Sequence, residues 1–203
     1  MSKQKIVVSM AVSLDGFTAG INQSFEKPFG DNFDLDLLKR WMLVEPEKQH
    51  HKKEIAAILD AGAFIMGSNM FGPKDRRANP DWKGWWGDTP PYKAPVFVLS
   101  HQERQPLEMA GGTIFNFVTD GIESALSKAK AAAGDKNVSI AGGANTVNQY
   151  LAAGLIDELW LHIVPATIGA GTRLFEGVLN LNLEPLEISG TSVVTHVRYK
   201  VLK

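Results

Sequence analysis

Val138-Ser139-Ile140-Ala141-Gly142-Gly143-Ala144-Asn145-Thr146 is the stretch on which the reading of the fold turns. A short apolar strand empties into two glycines and a small residue, and a helix begins at once. Such a turn leaves backbone N–H groups and the positive end of a helix dipole facing one crevice, where a phosphate or pyrophosphate is the natural guest. The same two glycines also suit a tight strand-to-helix turn with no ligand at all. The rest of the chain has to decide between these readings.

Working outward, strands and helices alternate. Downstream, Asn145 to Ala153 reads as a helix closed by Gly154, and Glu158 to Val164 as a strand. Upstream, Ile122 to Ala133 is an alanine-rich amphipathic helix closed by Gly134, preceded by a strand over Gly112 to Val118. Val96 to Leu99 and Ala63 to Met66 are further buried strands, and Ile6 to Val12 is a continuous apolar run expected at the sheet centre. Leu35 to Met42 reads as a short helix, and Gln49 to Ala61 as a longer one with Ile55, Ile58 and Leu59 on one face. In the tail, Val193, Thr195, Val197, Tyr199 and Val201 alternate with more polar residues, a period-two strand paired with Leu186 to Ser189 through Gly190-Thr191. Five strand–helix alternations and a terminal hairpin predict one three-layer α/β domain over residues 1–203. Its central sheet is mostly parallel, with a C-terminal antiparallel hairpin.

Composition limits what such a domain does. The 203 residues carry 21 Lys and Arg against 22 Asp and Glu, a formal charge of −1, so no global field draws in nucleic acid or an anionic membrane. No cysteine is present, which removes thiolate metal sites and cysteine nucleophiles. The early apolar run is broken at Ser13-Leu14-Asp15-Gly16, too soon for a signal peptide or a membrane span. A soluble cytoplasmic protein is expected, without nucleic-acid or membrane partners.

Familiar catalytic signatures are missing. The chain contains no G-x-G-x-x-G after its first strand, no G-x-x-x-x-G-K-[ST] and no G-x-S-x-G. Its five histidines lack ligand spacing, so no metal is expected, and His50-His51 reads as part of a solvated helix face. Two other strand ends, Gly67-Ser68-Asn69-Met70 and Ser100-His101-Gln102, fall on the same edge of a parallel sheet, where ligands gather. The first offers N–H groups at a helix start, and the second polar groups suited to a ribose or its phosphate. Between them lies a long irregular segment, Gly72 to Ala94, holding Trp82, Trp85 and Trp86. Those rings serve either as core anchors or as the wall of an aromatic pocket.

Four motifs together resemble the dihydrofolate reductase-like superfamily, in the branch that includes the C-terminal reductase domain of bifunctional riboflavin-biosynthesis proteins. They are Met10-Ala11-Val12-Ser13-Leu14-Asp15-Gly16; Ile65-Met66-Gly67-Ser68; Val96 to Ser100; and a block from Ile140 through Gly154-Leu155-Ile156-Asp157 to Pro165-Ala166-Thr167-Ile168-Gly169-Ala170-Gly171 and Leu174-Phe175. The resemblance implies NADPH as cofactor and hydride transfer to a C=N or C=O bond of a pterin, pyrimidine or related heterocycle. It assigns the pyrophosphate to Gly142, Gly143, Ala144, Asn145 and Thr146 and the nicotinamide amide to the backbone at Ala11. Gly67, Ser68, Asn69 and Met70 would line the other flank, with Ser100, His101 and Gln102 near the adenosine ribose. The arginine of the folate reductases' Gly-Arg-x-Thr is absent, leaving His101 or Arg104 for a 2′-phosphate.

Such chemistry needs a positioned donor and one proton. The resemblance implies a carboxylate near the helix after the first strand, and Asp36 is the candidate, with Asp34 beside it; either Asp also suits a helix cap. Asp15, Phe17, Trp85 and Trp86 are the expected substrate pocket, although Asp15-Gly16 also makes a simple turn. The alternatives are the pyrimidine reductase of riboflavin synthesis and a dinucleotide-binding module without turnover. An apolar edge on the terminal strands and the Leu155 to Ile163 region suggests a homodimer, an expectation drawn mainly from the resemblance.

Overall fold

In a computed structural model, residues 4–31 and 35–203 are described, without the side chains of 35–37. The apolar runs become strands β1 (Ile6–Ser13), β2 (Phe17–Ala19), β3 (Ala63–Gly67), β4 (Pro95–Leu99), β5 (Leu107–Glu108), β6 (Ile114–Val118), β7 (Val138–Gly142), β8 (Glu158–Val164), β9 (Thr172–Arg173), β10 (Asn182–Thr191) and β11 (Val194–Leu202). The helices are α1 (Leu35–Leu43), α2 (Glu47–His50), α3 (Lys52–Ile58), α4 (Ser68–Phe71), α5 (Ile122–Ala133) and α6 (Ala144–Ala152). Nine strands form one sheet in the order β10-β11-β8-β1-β7-β3-β4-β6-β5, and β2 pairs separately with β9. From β8 to β6 every pairing is parallel, while β11 and β10 run antiparallel at one side and β5 at the other.

Period-two geometry sends alternate side chains to opposite faces. Ile6, Val8, Met10 and Val12 of β1 join Ile65, Phe97, Ile140 and the buried faces of α5 and α6 in one core. On the other face Phe64, Met66, Val98 and Phe115 pack under Phe71, Tyr92 and Trp86, and farther along Leu38 and Trp41 of α1 cover Val164 and Val194. β1 is central, but it is not buried throughout as its apolar run implies: Val7, Ser9 and Ala11 are half-buried, and the cleft opens beside Ser9 and Ala11. No helix among the described residues is long and apolar enough to cross a membrane.

Three expectations change. The helix over Gln49 to Ala61 is two helices, broken where His51 leaves helical backbone (φ −114°, ψ 23°) and turns its ring into the protein. The terminal hairpin is longer than its alternation indicates, reaching back to Asn182. The Leu155 to Ile163 region is no edge, since β8 is paired on both sides and the outer strand is β10.

Buried Asn148 of α6 holds the segment that follows β9: its Nδ2 donates to the Arg173 carbonyl (3.0 Å) and its Oδ1 accepts from the Phe175 N–H (2.8 Å). Asn148→Ala removes both bonds and leaves the part-buried Phe175 N–H and Arg173 C=O without these partners. A loss of about 2–3 kcal/mol is expected, measured by urea unfolding with an unchanged slope.

Candidate functional site

At the carboxyl ends of the parallel strands lies a cleft of about 1250 Å³. Its centre is the β7–α6 turn. Gly142 has φ 127°, a conformation open to glycine, and a side chain there would meet the sulfur atoms of Met10 and Met70 at 3.3 Å. Gly143 differs: its φ of −68° suits any residue, and a Cβ built on it has nothing within 4 Å. Gly143 therefore opens onto free space in front of the α6 N-terminus, which no side chain caps. That is the shape a phosphate cradle requires, with donors exposed and the approach clear.

The other strand ends meet this turn. Gly67 lies so close to α6 that a Cβ would come within 2.4 Å of Thr146 Oγ1. Ser68, Asn69 and Met70 continue along the cleft wall from Gly67. Ser100 and His101 also line it, although the Ser100 hydroxyl is engaged in its own turn, donating to the Gln102 carbonyl (2.9 Å) and accepting from the Gln102 N–H (3.0 Å). Ala11 lines the cleft from β1, and Ala144, Asn145 and Thr146 from α6. Gln102 is the one expected cofactor residue outside the lining, because the Ser100 turn carries it to the surface.

The expected substrate residues separate. Trp85 and Trp86 line the cleft. Trp85 stacks on Phe25 from the loop after β2 (5.9 Å, 14°), and Trp86 lies over Phe115 (5.9 Å, 20°). Trp82 donates its indole N–H to the Phe71 carbonyl (3.1 Å) and packs inward, so the tryptophan loop is part anchor and part wall. Phe17 is a correction: it is buried outside the lining, beneath the Arg173 guanidinium (4.4 Å). Asp15 is another, since its carboxylate accepts from Ser13 Oγ (2.6 Å) and from the N–H groups of Ile168 and Gly169. The Ser13 hydroxyl, with those two backbone donors, holds this carboxyl below its ordinary range. Asp15 clamps a loop and does not face the cleft. The side chain of Asp36 and all of Asp34 lie outside the described residues. Among the described residues lining the cleft, none is a carboxylate.

Arg104 lies outside the cleft lining; its Nη2 donates to the Pro80 and Trp82 carbonyls (both 2.7 Å) and pins the tryptophan loop. Arg77 takes a place no motif gave it, its guanidinium donating to Asn69 Oδ1 at the cleft rim. Lys39 and Lys48 also line the cleft, with Lys39 4.6 Å from the centre of the Phe29 ring and its pKa lowered by burial.

The sequence missed the histidines altogether. His162 on β8 and His196 on β11 are cross-strand partners, each 1% exposed, with their Nδ1 atoms 2.7 Å apart. His51 joins them through Nδ1 to His196 Nε2 (2.9 Å), so it is a core residue and not part of a solvated helix face. Trp41 covers His162 and His196 at 4.6 and 4.9 Å. The ligand atoms of His51, Glu54 and His196 lie within 4.8 Å of one another, a proximity that residue spacing cannot reveal. Burial, followed by the neighbouring imidazoles, lowers the His162 pKa to about 3. Burial lowers that of His196 to about 4, against the opposite pull of Glu54.

Residues 4–197 match the RibD C-terminal domain family. The chain belongs to that family. It is 25% identical over 199 residues to the uncharacterized protein YyaP of Bacillus subtilis (strain 168), spanning 96% of this chain and 94% of that one. Among solved structures it resembles a putative riboflavin biosynthesis protein from Shewanella sp. PV-4 (TM-score 0.70, 22% identity, 98% and 100% of the two chains). It also resembles the dihydrofolate reductase of Enterococcus faecalis complexed with NADP(H) (TM-score 0.58, 13% identity, 100% of both chains). At these identities the structural likenesses establish the dihydrofolate reductase-like fold.

The neutral histidines of this RibD-type domain have a measurable consequence. Unfolded, both rings take up protons near pH 6.5; folded, only near 3 and 4, so the unfolded state binds more protons in between and stability falls as pH drops through that window. Between about pH 6 and 4 the unfolding free energy is expected to decline as pH falls, by on the order of 1 kcal/mol per pH unit for each ring. A melting temperature level across that range would refute a neutral histidine core.

Proposed function

We propose that this chain is an NADPH-dependent reductase acting on a C=N or C=O bond of a small planar heterocycle of pterin or pyrimidine type. The observation that carries the reading is the cradle at Gly142-Gly143, open in front of α6 and flanked by the ends of β1, β3 and β4. Family membership and the NADP(H)-bound dihydrofolate reductase of the same fold support it. When bound, the cofactor supplies hydride. Gly143, Ala144 and Asn145 hold its pyrophosphate by backbone N–H groups, and the β1 backbone at Ala11 orients the nicotinamide. Ser68 and Asn69 line its other flank, and Arg77 meets a phosphate at the rim. Trp85, Trp86 and Phe29 give the flat apolar walls that exclude water from a planar substrate. Within this reading the 5-amino-6-(5-phosphoribosylamino)uracil step is supported by Lys39 and Lys48, two cationic side chains on the cleft wall of a kind that suits a sugar phosphate.

Addition of NADPH is expected to quench tryptophan fluorescence, because Trp85 and Trp86 line the cleft. No quench and no thermal shift at about millimolar NADPH or NADH would sink the reading. Binding without oxidation of NADPH by dihydrofolate, the aminouracil or a carbonyl panel would favour a binding module. Gly143→Ala fills open space and not protein, so it should fold normally while losing about tenfold or more in NADPH affinity. Arg77→Ala should weaken NADPH binding by roughly five- to tenfold and leave NADH unchanged, because the lost contact is with the adenosine 2′-phosphate, which NADH lacks.

A further inference from the structure

We propose that Thr191, His51, His196, His162 and Ser9 form a proton relay from the outer end of the terminal hairpin to the floor of the cleft, where Ser9 protonates the atom next to the one that receives hydride. This rests on the reductase reading above. The contacts are continuous: Thr191 Oγ1 to His51 Nε2 (3.2 Å), His51 Nδ1 to His196 Nε2 (2.9 Å), His196 Nδ1 to His162 Nδ1 (2.7 Å), and His162 Nε2 to Ser9 Oγ (2.7 Å). Thr191 is exposed, the three rings are buried, and Ser9 and His162 line the cleft.

A neutral imidazole has one donor and one acceptor nitrogen. One assignment satisfies every link: Thr191 O–H donates to His51, His51 Nδ1–H to His196, His196 Nδ1–H to His162, and His162 Nε2–H to Ser9, whose O–H is left pointing at the cleft. When the C=N or C=O π bond accepts hydride at carbon, its electron pair moves to the nitrogen or oxygen, which takes the Ser9 proton. Each link then shifts one proton toward the cleft, and water replaces the proton of Thr191. The sum is substrate, hydride and one solvent proton giving reduced substrate, with no residual charge on the protein. The chain then stands in the opposite, equally satisfied assignment; after product leaves, the same shifts run backward, with solvent in the cleft giving a proton to Ser9 and Thr191 returning one to bulk water. Burial keeps His162 and His196 neutral, as this sequence requires. A carboxylate donor is not available from the described lining residues, which gives the relay its task.

The competing reading of the cluster is a metal clip at His51, Glu54 and His196. Ligation would break the 2.9 Å bond between the two rings, whereas the relay uses every contact as it stands.

The test uses the full chain labelled with 15N-histidine. At about pH 7, His162 and His196 should each show one ring proton. Exchange of these protons with solvent should slow by roughly an order of magnitude when both ends are cut in the Ser9→Ala/His51→Gln double variant. Unchanged exchange overturns the proposal, and so does stoichiometric Zn²⁺ that displaces the ring protons of His51 and His196. If the double variant does not fold, Ser9→Ala alone, one oxygen removed at a half-buried strand position, provides the second measurement. With any acceptor the wild type reduces, its kcat should fall about a hundredfold, with an increased solvent-deuterium isotope effect and an unchanged KM for NADPH; an unchanged kcat overturns the relay. Fluorescence titration of the wild type with NADPH keeps the two ideas apart. Its failure removes the reductase reading, while ring-proton exchange judges the relay by itself.

Discussion

A parallel sheet points the carboxyl end of every strand at one edge, and the helix that follows each strand must start there. In this protein the two glycines after β7 let that geometry close around free space. Gly142 adopts a backbone open to glycine between Met10 and Met70, and Gly143 presents no side chain to the cleft. The remaining cleft components are arranged about this gap: Gly67 lets α6 approach β3, and the turns at Ser68 and Ser100 bring polar groups to its sides.

What the sequence made legible follows from how local each signal is. Strand β3 and helices α5 and α6 are bounded by glycines, β7 runs into two, and β4 and β8 carry clear apolar runs, so their order and the parallel sheet could be read directly. The strand ends beside the cleft came with them, because topology puts them on one edge. The signals that failed depend on partners far along the chain. Phe17 looks like an aromatic wall until Arg173, from β9, covers it. Asp15 looks like a turn or a substrate contact until Ile168 and Gly169 deliver their N–H groups.

The histidines are the extreme case. His51, His162 and His196 come from a helix junction and two strands, and their only sequence regularity is the polar phase of a period-two pattern. Sheet register alone places His196 opposite His162, and only the break between α2 and α3 allows His51 to reach them. A polar residue on a strand is ordinarily read as facing water; here α1 covers that face, and Trp41 turns a solvated surface into an interior. Propensity and spacing contain no record of such a cover.

The Phe25–Trp85 stack joins two segments that have no strand ladder between them, the loop after β2 and the long loop before β4. Arg76 lies over Phe25 at 4.7 Å, and Trp82 meets Trp85 edge-on at 5.4 Å, so four side chains from two distant stretches share one contact. The roof of the cleft is thus hinged on aromatic packing while its floor is fixed by backbone hydrogen bonds. Floor and roof can therefore diverge at different rates: a lengthened loop or an exchanged ring at Phe25 or Trp85 reshapes what fits beneath the roof without disturbing the strand ends below.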